Sequence, residues 1–215
     1  MRTPASLLLV HGAGSGPWVY DGWLSAFPTL TVEAVDLQEG LAVEQASMSE
    51  YADRVAAAAR TMPGLIAVCG WSMGGLVVLQ AAQEVQPHSV VLLEGSAPAE
   101  IQGCDPDVQL VGGAFDPEAE YGKFPVGIAA RPESLLARAE RKRGISVPSL
   151  PCPSLVIASA DFPDERGRSM AELYGSEFVE FPELRHFDLV LDAAPRAAVA
   201  DFLGVTSDAV AGIRL

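Results

Sequence analysis

Leu65-Ile66-Ala67-Val68-Cys69-Gly70-Trp71-Ser72-Met73-Gly74-Gly75-Leu76-Val77-Val78-Leu79-Gln80 joins two kinds of apolar sequence through one serine. Leu65 to Cys69 reads as a fully buried strand. Gly75 to Glu84 reads as a helix whose first turns are apolar nearly all round. A serine on the tight turn between them is forced into a strained backbone conformation, and the flanking Gly70 and Gly74 remove side chains that would clash there. The hydroxyl then stands at the tip of the strand, beside a helix N-terminus whose amides can stabilise an oxyanion. That geometry suits a nucleophile. With 20 glycines in 215 residues the five-residue pattern alone is weak, so its context must carry the reading.

The first partner is His186, in Glu183-Leu184-Arg185-His186-Phe187-Asp188, just past an apolar strand (Phe178 to Phe181) and before a final helix. An imidazole can take a serine proton at neutral pH and return it later. Its place in a loop at the carboxyl end of a strand is where open parallel sheets bind ligands. The second partner should be a carboxylate that orients the imidazole. Asp161, after the strand Ser154-Leu155-Val156-Ile157-Ala158-Ser159, is the favoured choice. Asp164 is a rival that also suits a helix N-cap, and Glu94, after Val90-Val91-Leu92-Leu93, is a more distant one.

The order Ser72, Asp161, His186, each at the end of a different strand, resembles the α/β-hydrolase fold, and the resemblance covers nearly the whole chain. His11-Gly12-Ala13-Gly14, after the strand Ser6 to Val10, is similar to that family's early His-Gly segment. The resemblance implies that the backbone amides of Ala13 and Met73 form the oxyanion hole and that His11 is structural. Trp18 and Trp23 are similar to aromatic positions common in that segment, and core packing is the better reading for at least one of them. Two departures stand out. Val35-Asp36-Leu37-Gln38-Glu39-Gly40 lacks the usual Pro-Gly after its aspartate, and Ala158-Ser159-Ala160-Asp161 lacks the glycine often found three residues before the acid.

Alternating apolar runs and helical stretches predict an α/β domain spanning 1–215. Its doubly wound, mainly parallel sheet has six strands near 6–10, 30–35, 65–70, 89–93, 154–159 and 177–181. Residues 1–5 are too few for another strand before the first. The alternation breaks between Ser96 and Pro153, where the family inserts a cap. The expectation is a small lid over 96–152 with one to three helices, in which Phe115, Tyr121, Phe124 and Ile128 either wall a pocket or pack the lid down. Arg131, Arg138, Arg141, Lys142 and Arg143 concentrate cations there. One reading is a solvated helix whose C-terminal charges complement the macrodipole, stopped by Gly144. The other is that Arg131 or Arg138 binds a substrate carboxylate.

A formal net charge of −14 argues against nucleic acid or an anionic membrane as partner. The apolar run Leu7 to Val10 is too short for a signal-peptide core, and no stretch approaches a membrane span. Cys69, Cys104 and Cys152 are odd in number and lack metal-ligand spacing, which suits reduced thiols in a cytoplasmic protein. No phosphate loop or metal cluster is visible, and no cofactor is expected. The resemblance implies a serine hydrolase, carboxylesterase or thioesterase-like, that cleaves a small ester through an acyl-enzyme on Ser72. A carbon–carbon bond hydrolase or a hydroxynitrile-lyase-like enzyme on the same residues is the alternative, and a non-enzymatic binding protein on the scaffold is the third.

Overall fold

Strands that are apolar on both faces must be covered on both faces, and this requirement sets the architecture. The computed structural model describes residues 3–206, so the ends of the span 1–215 lie outside the described residues. In chain order the strands are β1 (Ser6–Val10), β2 (Thr31–Val35), β3 (Ile66–Trp71), β4 (Ser89–Leu93), β5 (Ala114–Phe115), β6 (Glu133–Ser134), β7 (Ser154–Ser159) and β8 (Glu177–Phe181). Six of them form one sheet in the order β2-β1-β3-β4-β7-β8, and every pairing in it is parallel. The α/β-hydrolase fold and the strand positions read from the sequence are both present.

Side-chain parity divides the core. Leu8, Val10, Val68, Val90, Leu92 and Val156 face one side, with α1 (Met48–Thr61) and α2 (Met73–Val85) packed over them. Leu7, Leu9, Ala67, Cys69, Val91 and Ile157 face the other side. There they meet Tyr20, Trp23 and Phe27, and the C-terminal helices Asp188–Leu191 and Ala193–Leu203. Each fully buried aliphatic side chain is worth about 1.5–3 kcal/mol. The first turns of α2, Met73 to Leu79, are buried on every residue because they lie between the sheet and α1, while Gln83 and Glu84 near its end are exposed. No helix among the described residues is long and apolar enough to cross a membrane.

The chain runs from β1 outward to the edge strand β2, then returns to β3 on the other side of β1. This reversal places a switch point between the carboxyl ends of β1 and β3, where open sheets leave a crevice. The segment between β4 and β7 holds the short helices Ala99–Gln102, Pro117–Tyr121 and Leu135–Arg143, together with a two-residue antiparallel ribbon of β5 and β6.

Arg131 pins this segment to the loops after β1 and β2. Its amide donates to the Gly14 carbonyl at 2.9 Å and its Nε to the Ser15 carbonyl at 2.8 Å. Its terminal nitrogens reach both oxygens of Asp36, at 3.0 and 2.5 Å, and the guanidinium lies 5.1 Å from the Trp18 ring centroid. The His11 ring and the Arg131 guanidinium beside Asp36 hold its carboxyl well below the usual carboxylate range. The unfolded chain therefore binds this proton at higher pH than the folded one. Stability from Asp36 is complete above the ordinary pKa of about 3.9 and is lost as pH falls through the folded value. Asp36→Asn should cost on the order of 1–2 kcal/mol at pH 7. Urea titrations should show the gap to wild type closing below about pH 4, and a gap that stays constant down to pH 2 would contradict this account.

Candidate active site

Ser72 sits between β3 and α2 with φ 56° and ψ −125°, a conformation that costs a non-glycine residue about 1–3 kcal/mol. Its surroundings hold it there. The Ser72 amide donates to the Leu93 carbonyl at 3.1 Å, and its carbonyl accepts from the amides of Gly75 at 3.0 Å and Ser96 at 2.8 Å. A Cβ on Gly70 would lie 2.4 Å from the Gly74 carbonyl oxygen, and one on Gly74 would lie 2.3 Å from that of Val10. Only glycine fits at either position, so the spacing seen in the sequence has a steric cause.

His186 lies in the loop after β8. The Trp71 indole donates to its carbonyl at 3.0 Å, and the Trp71 ring packs 5.0 Å from the imidazole. The carboxylate on that imidazole is Glu94. His186 donates from Nδ1 to Glu94 Oε2, and the acid side chain is fully shielded from water while that of His186 is 18% exposed. Glu94 follows β4 directly, with φ 47°. Its other oxygen accepts from the Ser159 amide at 2.9 Å, the Ser159 hydroxyl at 2.7 Å and the Phe162 amide at 3.3 Å. Burial alone would raise the Glu94 carboxyl, but the hydrogen bonds from His186 and Ser159 outweigh it and hold the group below the usual range.

The choice of Asp161 as the imidazole's partner is therefore corrected. Asp161 accepts from the backbone amide of His186 at 2.8 Å and from Arg185 Nε at 2.5 Å. It positions the histidine loop and leaves the ring to Glu94. The other rival, Asp164, is 88% exposed and faces Arg168. The reason is reach. β4 lies between β3 and β7, and the longer glutamate at its end spans to the ring while Asp161 is drawn to the loop's main chain.

The loop after β1 forms the opposite wall. Gly14 donates its amide to Glu133 Oε2 at 2.9 Å, and Ser15 donates to the Gly12 carbonyl at 3.4 Å. Among the described residues the Ala13 amide has no hydrogen-bond partner in the protein. The Met73 amide opens α2 and has no acceptor within the helix. His11 is buried, with one ring nitrogen at the Gly12 carbonyl and the other receiving the Leu37 amide, so both nitrogens are engaged structurally. Trp23 is a core residue, its indole bonded to the Val190 carbonyl at 2.8 Å. Trp18 instead spans to the Ala129 carbonyl at 3.0 Å.

Glu133 carried no signal in the sequence. It is fully buried, and besides Gly14 it accepts from the Tyr51 hydroxyl at 2.6 Å and the Ser134 amide at 2.8 Å. Burial, with Glu133 beside it, pushes the Tyr51 phenol well above its ordinary pKa. One carboxylate thus ties α1, β6 and the β1 loop together. Of the aromatic residues expected in the inserted segment, Phe124 packs 4.9 Å from Phe187, next to the histidine. Phe115 packs against Tyr121, and Ile128 joins the core cluster around Trp23. Arg131, one of two candidates for a substrate carboxylate, is already committed to Asp36.

A model of the alpha/beta hydrolase family matches residues 7–202. A pimeloyl-[acyl-carrier protein] methyl ester esterase of Aromatoleum aromaticum is 30% identical over 129 residues, 58% of this chain and 45% of that protein. The chain thus matches less than half the length of this curated relative. Among solved structures, a pyrethroid hydrolase from Sphingobium faniae superposes with a TM-score of 0.66 at 19% identity, covering 93% of this chain and 97% of that one. A lipase-esterase related protein from Clostridium acetobutylicum gives 0.61 at 20% identity, with 94% and 95% covered. At these identities the structures speak for the fold.

Proposed function

The chain belongs to the alpha/beta hydrolase family, and from that premise we propose that it is a serine esterase acting on small esters through an acyl-enzyme at Ser72. The observation that carries the reading is the coincidence at one end of the sheet of a strained serine elbow and an imidazole backed by a buried glutamate. The name of the Aromatoleum relative, a methyl ester esterase, supports an ester as the bond cleaved.

In this reading Nε2 of His186 takes the Ser72 proton as Oγ attacks the ester carbonyl carbon. Glu94 holds the proton on Nδ1 and stabilises the imidazolium. The amides of Ala13 and Met73 bind the tetrahedral oxyanion. Collapse breaks the bond to the leaving oxygen, which takes the proton from His186. A water molecule, deprotonated by the same imidazole, then attacks the acyl carbon and restores Ser72 as the free acid leaves. No cofactor enters. All three thiols are free, which fits a cytoplasmic setting.

Ser72→Ala should stay folded, fail to label with a fluorophosphonate probe and lose aryl-ester turnover by roughly 10³-fold or more. A folded variant that kept near wild-type turnover would sink the mechanism.

The two acids separate in a second comparison. Glu94→Gln should lower kcat by about 10²–10⁴-fold, because the imidazole loses its charged partner. Asp161→Asn should cost far less, since its side-chain oxygen can still accept from the His186 amide. Equal losses, or the reverse order, would return the acid role to Asp161.

A further inference from the structure

Arg138, Arg141 and Lys142 of the helix Leu135–Arg143 share a cleft of about 170 Å³ with Arg166, Glu165, Tyr121 and Ser96. Arg138 reaches Glu120 with one terminal nitrogen. Beyond that, the cations are poorly matched. The Nε atoms of Arg138, Arg141 and Arg166 are all buried without a hydrogen-bond partner. Among the described residues, no carboxylate pairs with Arg141 or Arg166 within salt-bridge distance. Arg141 makes only long contacts, 3.5 Å to Ser96 Oγ and 3.4 Å to the Tyr121 hydroxyl. Arg166 is held instead over the Phe162 ring, 4.0 Å from its centroid.

Such an arrangement is unfavourable as it stands. Buried guanidinium nitrogens without acceptors lose hydration, and like charges repel. Burial draws the Arg166 pKa down, and burial together with Arg138 and Arg141 does the same for Lys142. A chain with 28 acidic and 14 basic residues does not lack carboxylates to pair with them. The cleft also adjoins the reaction centre. The amide of Ser96, one of its walls, bonds to the Ser72 carbonyl at 2.8 Å, and Phe162, beneath Arg166, meets the His186 ring edge-on at 5.8 Å.

We propose that this cleft is the anion subsite of the enzyme and that its substrates are esters carrying a second, anionic group, a carboxylate or a phosphate. The proposal rests on the esterase reading for its substrate, but not for the binding of the anion. The anionic group enters between Arg141 and Arg166, supplies acceptors to their unpartnered nitrogens, and fixes the ester carbonyl over Ser72. Planar guanidinium forks suit either oxyanion.

The test has two arms. In the first, kcat and KM are measured for three methyl esters of equal chain length, ending in a methyl group, a carboxylate or a phosphate. The proteins are wild type, Arg141→Gln, Arg166→Gln and, as control, the exposed Arg143→Gln. At least one anionic ester should show the lowest KM. Each of the first two substitutions should raise that KM about 10-fold more than the KM of the neutral ester, and the control should change none of them. In the second arm, glutarate and inorganic phosphate are titrated calorimetrically into the same proteins. One or both should bind wild type at a single site and bind Arg141→Gln and Arg166→Gln at least 10-fold more weakly. The tighter anion identifies the substrate's second group. If wild type hydrolyses no ester, the esterase reading fails and the titration alone decides the subsite. If neither anion binds, or binding survives both substitutions, the subsite is overturned.

Discussion

Close approach of bare backbone at the β3–α2 elbow is the constraint on which the rest of the site depends. Gly75 and Gly95 meet there so tightly that a Cβ on Gly75 would lie 2.5 Å from the Gly95 Cα. That contact brings the chain leaving β4 against the start of α2, within reach of hydrogen bonds between the Ser96 amide and the Ser72 carbonyl. Glu94 is carried to the His186 ring by the same approach. The strained serine and the buried glutamate, both with positive φ, are therefore two consequences of one packing decision. Two strained residues there are held by the sheet that stabilises the rest of the domain.

Much of this was legible in the sequence because it depends on local pattern. Leu7 to Val10, Val90 to Leu93 and Leu155 to Ala158 are apolar on every residue, which only a strand covered on both faces requires, and all are fully or almost fully buried. The strained elbow at Ser72 was legible for the same reason: its glycines answer clashes with residues close by in the fold. The acid was less so. Glu94 and Asp161 both follow apolar strands, and β4 and β7 are neighbours in the sheet, so strand order could not rank them. The difference lies in side-chain reach and in the Ser159 and Phe162 groups that meet one carboxylate and not the other. Glu133 was illegible altogether, because its partner Gly14 is distant in the chain and no motif links them.

The cations of the inserted segment show how one composition signal can divide into separate physical roles. Arg131 precedes the helix and is neutralised by Asp36, so it acts as a fastener between the segment and the loops after β1 and β2. Arg138 and Arg141 are three residues apart on one helix and so project from one face. The helix-end reading accounts for part of what is seen. Lys142 and Arg143 close the last turn, and Gly144 follows with φ 100°. It does not account for Arg166, which arrives from the segment after β7 and joins the same cleft. A charge cluster assembled from two distant segments has no image in a linear reading.

The acidity of the chain sharpens what that cluster can do. At physiological ionic strength the Debye length is about 8 Å, so the net charge of −14 acts only weakly on a solute far from the surface. Within that distance, an anion at this cleft meets Arg138, Arg141, Lys142 and Arg166 against a single lining carboxylate, Glu165, and clefts lined by one sign of charge focus the local field. Affinity there would come from short contacts to fixed guanidinium groups rather than from long-range attraction. On the esterase reading, discrimination should therefore reside in KM for the anionic group, while the chemistry proposed at Ser72 should respond mainly to Glu94 and His186. On the proposed reading, binding of the distal group and activation of Ser72 fall to different side chains, joined through Ser96, whose amide meets the Ser72 carbonyl, and Phe162, which lies against both Arg166 and His186.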